Sequence, residues 1–507
     1  MKRNLLKALG ISFLIFVVLS WIIPIGTYEG GKFTTDGIDA VGLLDLVEVP
    51  VQTLLTFALY AVVFAVIGGL YGVMSKTGAL DAWTEKIVKK FSGKEKRFIV
   101  FTIIFFVILS SLTGLTLPLF VLVPFFAIIL FGLGFDKITA LTVTVGSILT
   151  GSIASTYGFN ISGYTKNILA FEDMNTQIVG KIILLVLLTA LLILFVLKFS
   201  SEKSNKKIMK LEKTKEIKEK KTEKTKKEPT KTAKRTTTKK PTKKKTQNMA
   251  ITKNVKKVEK VKTTSIIPLV IILVLMMIVT IVGMYNWYYS FNIELFDNMH
   301  KAVMGVKIGD FPIFEHLLSG SKQFGYWGNT EFVTILVIVS ALIAFVYRLS
   351  LGEYVESFIA GMKKMMPTAI YAALASVILT VLYQASYQGA GTITNTMFNA
   401  TMGTDFNALT TGLTALYGSF FYNDLYYLLS GMAAFMSGFD ASAMQVAGLT
   451  VQAIYSLGMM IFPTSVILIA GLSYFDVSYK KWIKYIWKFA LAVLIIVLIL
   501  AAILAAI

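Results

Sequence analysis

The sequence predicts an all-α polytopic membrane protein in two related halves, and three observations carry that expectation. Hydrophobic residues make up 55% of the 507 residues, and apolar stretches near membrane-spanning length recur from end to end. A helix needs about 20 apolar residues to cross a bilayer. A lysine-rich stretch of low complexity divides this apolar chain in two. Short polar interruptions then stand at matching places in the two parts.

In the first membrane half, residues 1–200, apolar stretches lie near 5–25, 51–74, 98–112, 117–133, 138–153 and 178–197. In the second half, residues 264–507, they lie near 266–284, 331–347, 369–383, 408–436, 441–462 and 482–507. Read together they give roughly ten to twelve spans, the count depending on where Gly, Pro and Ser interrupt a run. The first stretch follows Met1-Lys2-Arg3, as in a signal peptide, but Trp21-Ile22-Ile23-Pro24 stands where small cleavage-site residues would be. It is therefore expected to stay as a span. Trp21, Trp83, Trp327, Trp482 and Trp487 are expected to anchor at the membrane interfaces.

Between the halves, residues 201–263 form a linker. From Ser201 to Lys262 it holds 25 basic and 7 acidic residues, hence 18 of the chain's 21 net positive charges. It is too polar to bury a core and is expected to be a solvated, disordered linker on the cytoplasmic side. The stretch KTEKTKKEPTKTAKRTTTKKPTKKKT lacks aromatic residues that could stack on bases, so nucleic acid is not an expected partner. The competing reading makes the chain a membrane anchor whose basic segment binds lipid, RNA or a partner protein.

The halves echo each other. SKTGALDAWTEKIVKKF (75–91) compares with LSLGEYVESFIAGMKKM (349–365), and GFDKITA (134–140) with GFDASAM (438–444). The shared order points to an internal duplication. Secondary transporters are often built this way, with the site near the bilayer midplane where the repeats meet. A channel is the runner-up.

After each GFD comes a polar break. In half one it falls within TGSIASTYGFNISG, beginning at Thr150, Gly151 and Ser152; in half two it is Pro463-Thr464-Ser465. Proline removes a helix hydrogen bond, and the freed carbonyls need partners in lipid. Carbonyls and hydroxyls together suit Na⁺, and the resumed half-helix offers N–H groups to a carboxylate. A second pair of interruptions reads as hairpin tips. These are Thr113, Gly114 and Thr116 in half one, and Tyr422, Asn423 and Asp424 in half two. Asp424 among apolar residues is either a site for a cationic group, Na⁺ or H⁺, or a helix cap at the water surface.

No catalytic residue is expected. The chain has no cysteine, which excludes disulfides, thiolate metal sites and cysteine catalysis. His300 and His316 are the only histidines, so no HExxH-type metal site exists. No cofactor is expected beyond Na⁺ or H⁺ as a coupling ion.

IGGLYGVMSKTGALDAW (67–83), the GFD at 134–136 and FPTSVILIAGLSYFDVSYKKW (462–482) together resemble the anaerobic four-carbon dicarboxylate carrier (DcuC) family, in particular its YfcC-like branch. The resemblance covers most of both halves and omits the linker. It implies inverted repeats, a scaffold, and a transport domain with two re-entrant hairpins that moves as an elevator. It also implies Na⁺- or H⁺-coupled symport or antiport of dicarboxylates or amino acids, basic ones included. By the same resemblance Pro463, Thr464 and Ser465 fall on the second broken helix, and Gly151 and Ser152 on the first. The chain departs from the family at the hairpin tips, and it has Met459 and Met460 where an Asn usually precedes the second break. With an Asp beside tyrosines and no Arg or Lys in either break, the residues point to a substrate bearing a positive group.

The expected protein is thus a multi-pass secondary active transporter of the plasma membrane. Its partners would be a small carboxylate or amino-acid substrate, the lipid bilayer and, as a homodimer, a second copy.

Overall fold

In lipid a backbone must satisfy its own polar groups, and a helix does so within one segment. The computed structural model describes residues 2–29, 31–199, 265–386 and 392–507; the lysine-rich linker lies outside the described residues. Among the described residues nine helices are long and apolar enough to cross a membrane. Three shorter apolar helical segments, Thr116–Gly132, Lys137–Ile153 and Leu425–Met436, accompany them.

In chain order the helices begin with α1 (Lys2–Ile22), α2 (Asp45–Thr56), α3 (Ala58–Lys76), α4 (Ala79–Phe91) and α5 (Glu95–Thr113). Shorter pieces follow: α6 (Thr116–Leu119), α7 (Val123–Gly132), α8 (Lys137–Leu141), α9 (Ser147–Ile153) and α10 (Tyr164–Ile168). Next come α11 (Ile178–Phe199), α12 (Ile267–Met284), α13 (Trp287–Phe291), α14 (Leu295–Met304), α15 (Ile313–Leu317), α16 (Asn329–Val346) and α17 (Leu351–Leu374). The chain ends with α18 (Val377–Ser386), α19 (Ile393–Thr401), α20 (Ala408–Phe421), α21 (Leu425–Met436), α22 (Ala441–Ile461), α23 (Val466–Tyr474) and α24 (Tyr479–Ala505). Two antiparallel hairpins, Ile25–Glu29 with Lys32–Gly37 and Lys307–Ile308 with Phe311–Pro312, are the described sheet structure.

Helices of both sequence halves meet in each of two packing groups. One centres on α3 against α17, joined by α16 and α12. Small residues bring those two backbones together: a Cβ on Gly361 would stand 2.1 Å from the Gly68 carbonyl oxygen, and one on Gly72 2.1 Å from that of Ser357. Such contacts are how helices associate in lipid, where apolar burial drives nothing. The other group centres on α9 and α22, with α5, α11, α20 and α24 around them.

The repeated segments fold differently. Residues 79–91 form the separate helix α4, whereas residues 351–365 are the first half of the continuous helix α17. The repeated GFD plays one role in both halves. Asp136 accepts from Thr139 N at 2.9 Å and Asp440 from Ala443 N at 2.8 Å, so each caps the helix that leads to its break. Trp482, expected at an interface, is instead fully buried. Its indole is drawn inside by a backbone partner described below.

Candidate functional site

The turn after α5 is shaped by Gly114, which takes φ 70°, a conformation glycine adopts without steric cost. A Cβ there would meet the Gly158 backbone at 3.0 Å. The turn is thereby pressed against the first break. Two serines of α5 hold that break shut. Ser110 Oγ donates to Ile148 O at 2.7 Å, and Ser111 Oγ donates to Ala154 O at 2.6 Å. The Ser111 carbonyl accepts from Thr156 N and Gly158 N. The chain then resumes through a π-turn, 159–163, into α10.

The second break is closed from a distance. Pro463 has no N–H, so Met459 O loses its helical donor. Met460 O accepts from Trp482 Nε1 at 2.8 Å, and Ile461 O from Tyr479 OH at 2.7 Å. Both donors belong to α24. Ser465 Oγ caps α23 by accepting from Leu468 N at 3.3 Å. Thr464 is 2% exposed, and its hydroxyl has no hydrogen-bond partner.

The α20–α21 hairpin brings its tip to the same place. Tyr422 OH is bonded to Thr394 Oγ1 at 2.7 Å, and Asn423 Nδ2 donates to Ser376 Oγ at 2.8 Å. Asp424 Oδ1 accepts from Tyr426 N at 2.9 Å, which caps α21.

These elements surround one cavity of about 450 Å³. Of the residues singled out in the sequence, Gly114, Thr116, Ser152, Asn423, Asp424 and Ser465 line it. Thr113, Thr150, Gly151, Tyr422, Pro463 and Thr464 stand behind that lining. Thr113 Oγ1 and Thr150 Oγ1 are spent on carbonyls one turn back, Leu109 O and Gly146 O. Gly151 sits where a Cβ would lie 2.3 Å from Val107 O, so it lets α9 approach α5.

The wall also contains residues that sequence reasoning did not assign to the site, among them Trp327, which was expected to anchor at an interface. Tyr60 comes from α3, Tyr164 from α10 and Tyr455 from α22; Asn286, Tyr326 and Trp327 come from the excursion between α12 and α16. Burial, then the charge of Asp297, raises the Tyr326 phenol above its usual value. Among the described residues, Asp424 is the one carboxylate of the lining, and no Lys, Arg or His lines it. Asn, Ser, Thr and Tyr groups supply the remaining polarity. Such a cavity can orient a small polar solute. Among the described residues no cluster of metal-ligating side chains occurs.

Comparison with known families settles the relationship. Residues 9–506 match the DcuC family, described as the C4-dicarboxylate anaerobic carrier. The chain belongs to the DcuC family. As a DcuC-family carrier it is a multi-pass membrane transport protein, and its nine long apolar helices agree with that. No curated protein matches the chain. Among solved structures, the Alcanivorax borkumensis YdaH transporter, described as having an unusual topology, matches at 13% identity over 97% of each chain, with a TM-score of 0.34. That score is too low to carry an argument.

Proposed function

We propose that this DcuC-family chain is an ion-coupled secondary transporter for a small carboxylate metabolite that also carries an amino group. The observation behind this reading is the convergence of both helix breaks and both hairpin tips on one cavity whose only carboxylate among the described residues is Asp424. A dicarboxylate would need positive side chains to offset two charges, and the lining has none among the described residues. An ammonium group suits Asp424, and the faces of Tyr60, Tyr164 and Tyr455 suit it further. The substrate carboxylate would take the N–H groups at the start of α23, beside Ser465. Coupling by Na⁺ fits Met459 O, which has lost its helical donor, and the unpartnered Thr464 hydroxyl. An elevator-like movement of the α9–α22 group against the α3–α17 group would carry the cavity across the plasma membrane.

The test is thermal stability of the purified protein against a panel of amino acids and dicarboxylates, with and without Na⁺. A ligand at about 100 times its Kd adds roughly 2.7 kcal/mol. Amino acids should shift the melting temperature, and Asp424→Asn should abolish that shift while keeping the fold, because Asn caps a helix as well as Asp. A shift produced by dicarboxylates alone, or one that survives in D424N, would sink the amino-group reading.

A further inference from the structure

Residues 285–328, between α12 and α16, belong to no apolar span, yet they display many large apolar side chains. Helix α14 has three faces. Phe296 and Met304 turn toward the protein, Phe296 packing on Trp287 at 5.7 Å and on Phe324 at 6.0 Å. Asn298 and Lys301 are exposed and polar. Leu295, Met299 and Val303, spaced by four residues, form an exposed apolar stripe, with Leu295 at 64%. Beyond α14, Ile308 and Leu317 are each 72% exposed, and Phe311 is exposed as well. Scattered exposed apolar residues need no explanation, but an apolar run of this extent marks an interaction surface.

We infer that residues 293–318 lie in the headgroup layer of the bilayer, with the Leu295–Met299–Val303 stripe toward the acyl chains. A helix with one apolar and one polar face takes this position. Continuity favours lipid over another occupant. The segment hangs between α12 and α16, whose own exposed faces carry Val274, Leu275, Ile278, Ile338 and Leu342. Where the chain leaves α12, Tyr288, Tyr289 and Phe291 are exposed, the residue types that gather at membrane interfaces. The ends of the excursion, Asn286 and residues 325–329, line the cavity. Lys166 Nζ donates to Tyr289 O at 2.9 Å, and Tyr285 OH donates to Tyr157 O, so the excursion is also tied to the first break. Lipid would therefore seat one wall of the cavity.

The chain has no cysteine, so single replacements give unambiguous labels. Leu295→Cys, Asn298→Cys, Met299→Cys, Lys301→Cys and Val303→Cys, each in the full-length protein, would carry one spin label. The probes are oxygen and a water-soluble nickel chelate, in vesicles of phosphatidylethanolamine and phosphatidylglycerol. Labels at 295, 299 and 303 should meet oxygen several-fold more, relative to nickel, than labels at 298 and 301. Equal nickel access at all five positions would place the helix in water and overturn the inference. Immobile labels at 295, 299 and 303 that neither probe reaches would mean that protein, such as a second copy, covers the stripe, and would overturn it too.

Discussion

The two helix breaks do the same topological job by opposite means. The first, at 150–163, is sealed from nearby helix α5 by small hydroxyls, Ser110 and Ser111, which reach the carbonyls directly. The second, at 459–467, is sealed by two large aromatic donors from α24, Tyr479 and Trp482. The first leaves little unsatisfied. In the second, Pro463 removes the donor to Met459 O, and the Thr464 hydroxyl is buried without a partner. Buried polar groups are ordinarily hydrogen-bonded, and an exception calls for a reason. Under the proposed function both breaks face the cavity, with the first acting as a joint and the second holding the coupling ion.

The largest effect should come from Trp482→Ala. It removes a fully buried indole and the donor to Met460 O, at a cost of about 3–5 kcal/mol. A fall of many degrees in melting temperature is the expected outcome; a fall of a degree or less would mean that the break is not held from α24. Ser111→Ala should cost less, about 1–3 kcal/mol, because it orphans the buried Ala154 carbonyl without opening a large cavity. If S111A melts like the wild type, the first break is held by something other than its hydroxyls.

The smallest stability effect, and the most discriminating, belongs to Thr464→Val. The substitution keeps the shape and removes a hydroxyl that bonds to nothing. Without Na⁺ the variant should be as stable as the wild type, or more stable by about 1 kcal/mol, since no hydrogen bond is lost. With Na⁺ it should lose the stabilisation that the wild type gains. A destabilised T464V that still responds fully to Na⁺ would make both breaks joints and erase the contrast.

Much of this was legible in the sequence. Apolar length gave the spans, and Pro463 and the Gly-Ser-Thr runs marked the breaks. Of the two possibilities weighed for Asp424, the helix cap is what the hydrogen bonding shows, with the carboxylate also lining the cavity. What stayed hidden was long-range. A tryptophan ahead of an apolar span reads as an interface anchor, and nothing local says that Trp482 folds back onto a carbonyl 22 positions earlier. Tyr60, Tyr164 and Tyr455 each look like ordinary span aromatics; only packing of three separate helices makes them neighbours of Asp424. The wall from residues 325–329 lies in a loop whose sequence has no periodicity to read. Thr150 and Gly151 illustrate the reverse: polarity and small size suggested ligands, while their local geometry accounts for both in helix hydrogen bonding and helix approach.

The seal on the second break also has a history in time. Chains fold from the N-terminal side as they are synthesised, so α22 is complete before Tyr479 and Trp482 have left the ribosome. Until they arrive, the Met460 and Ile461 carbonyls have no donors inside a membrane that offers none. The cavity is therefore finished by a helix made after both halves of the second broken helix. A chain lacking that helix would leave two carbonyls at the end of α22 without their side-chain donors.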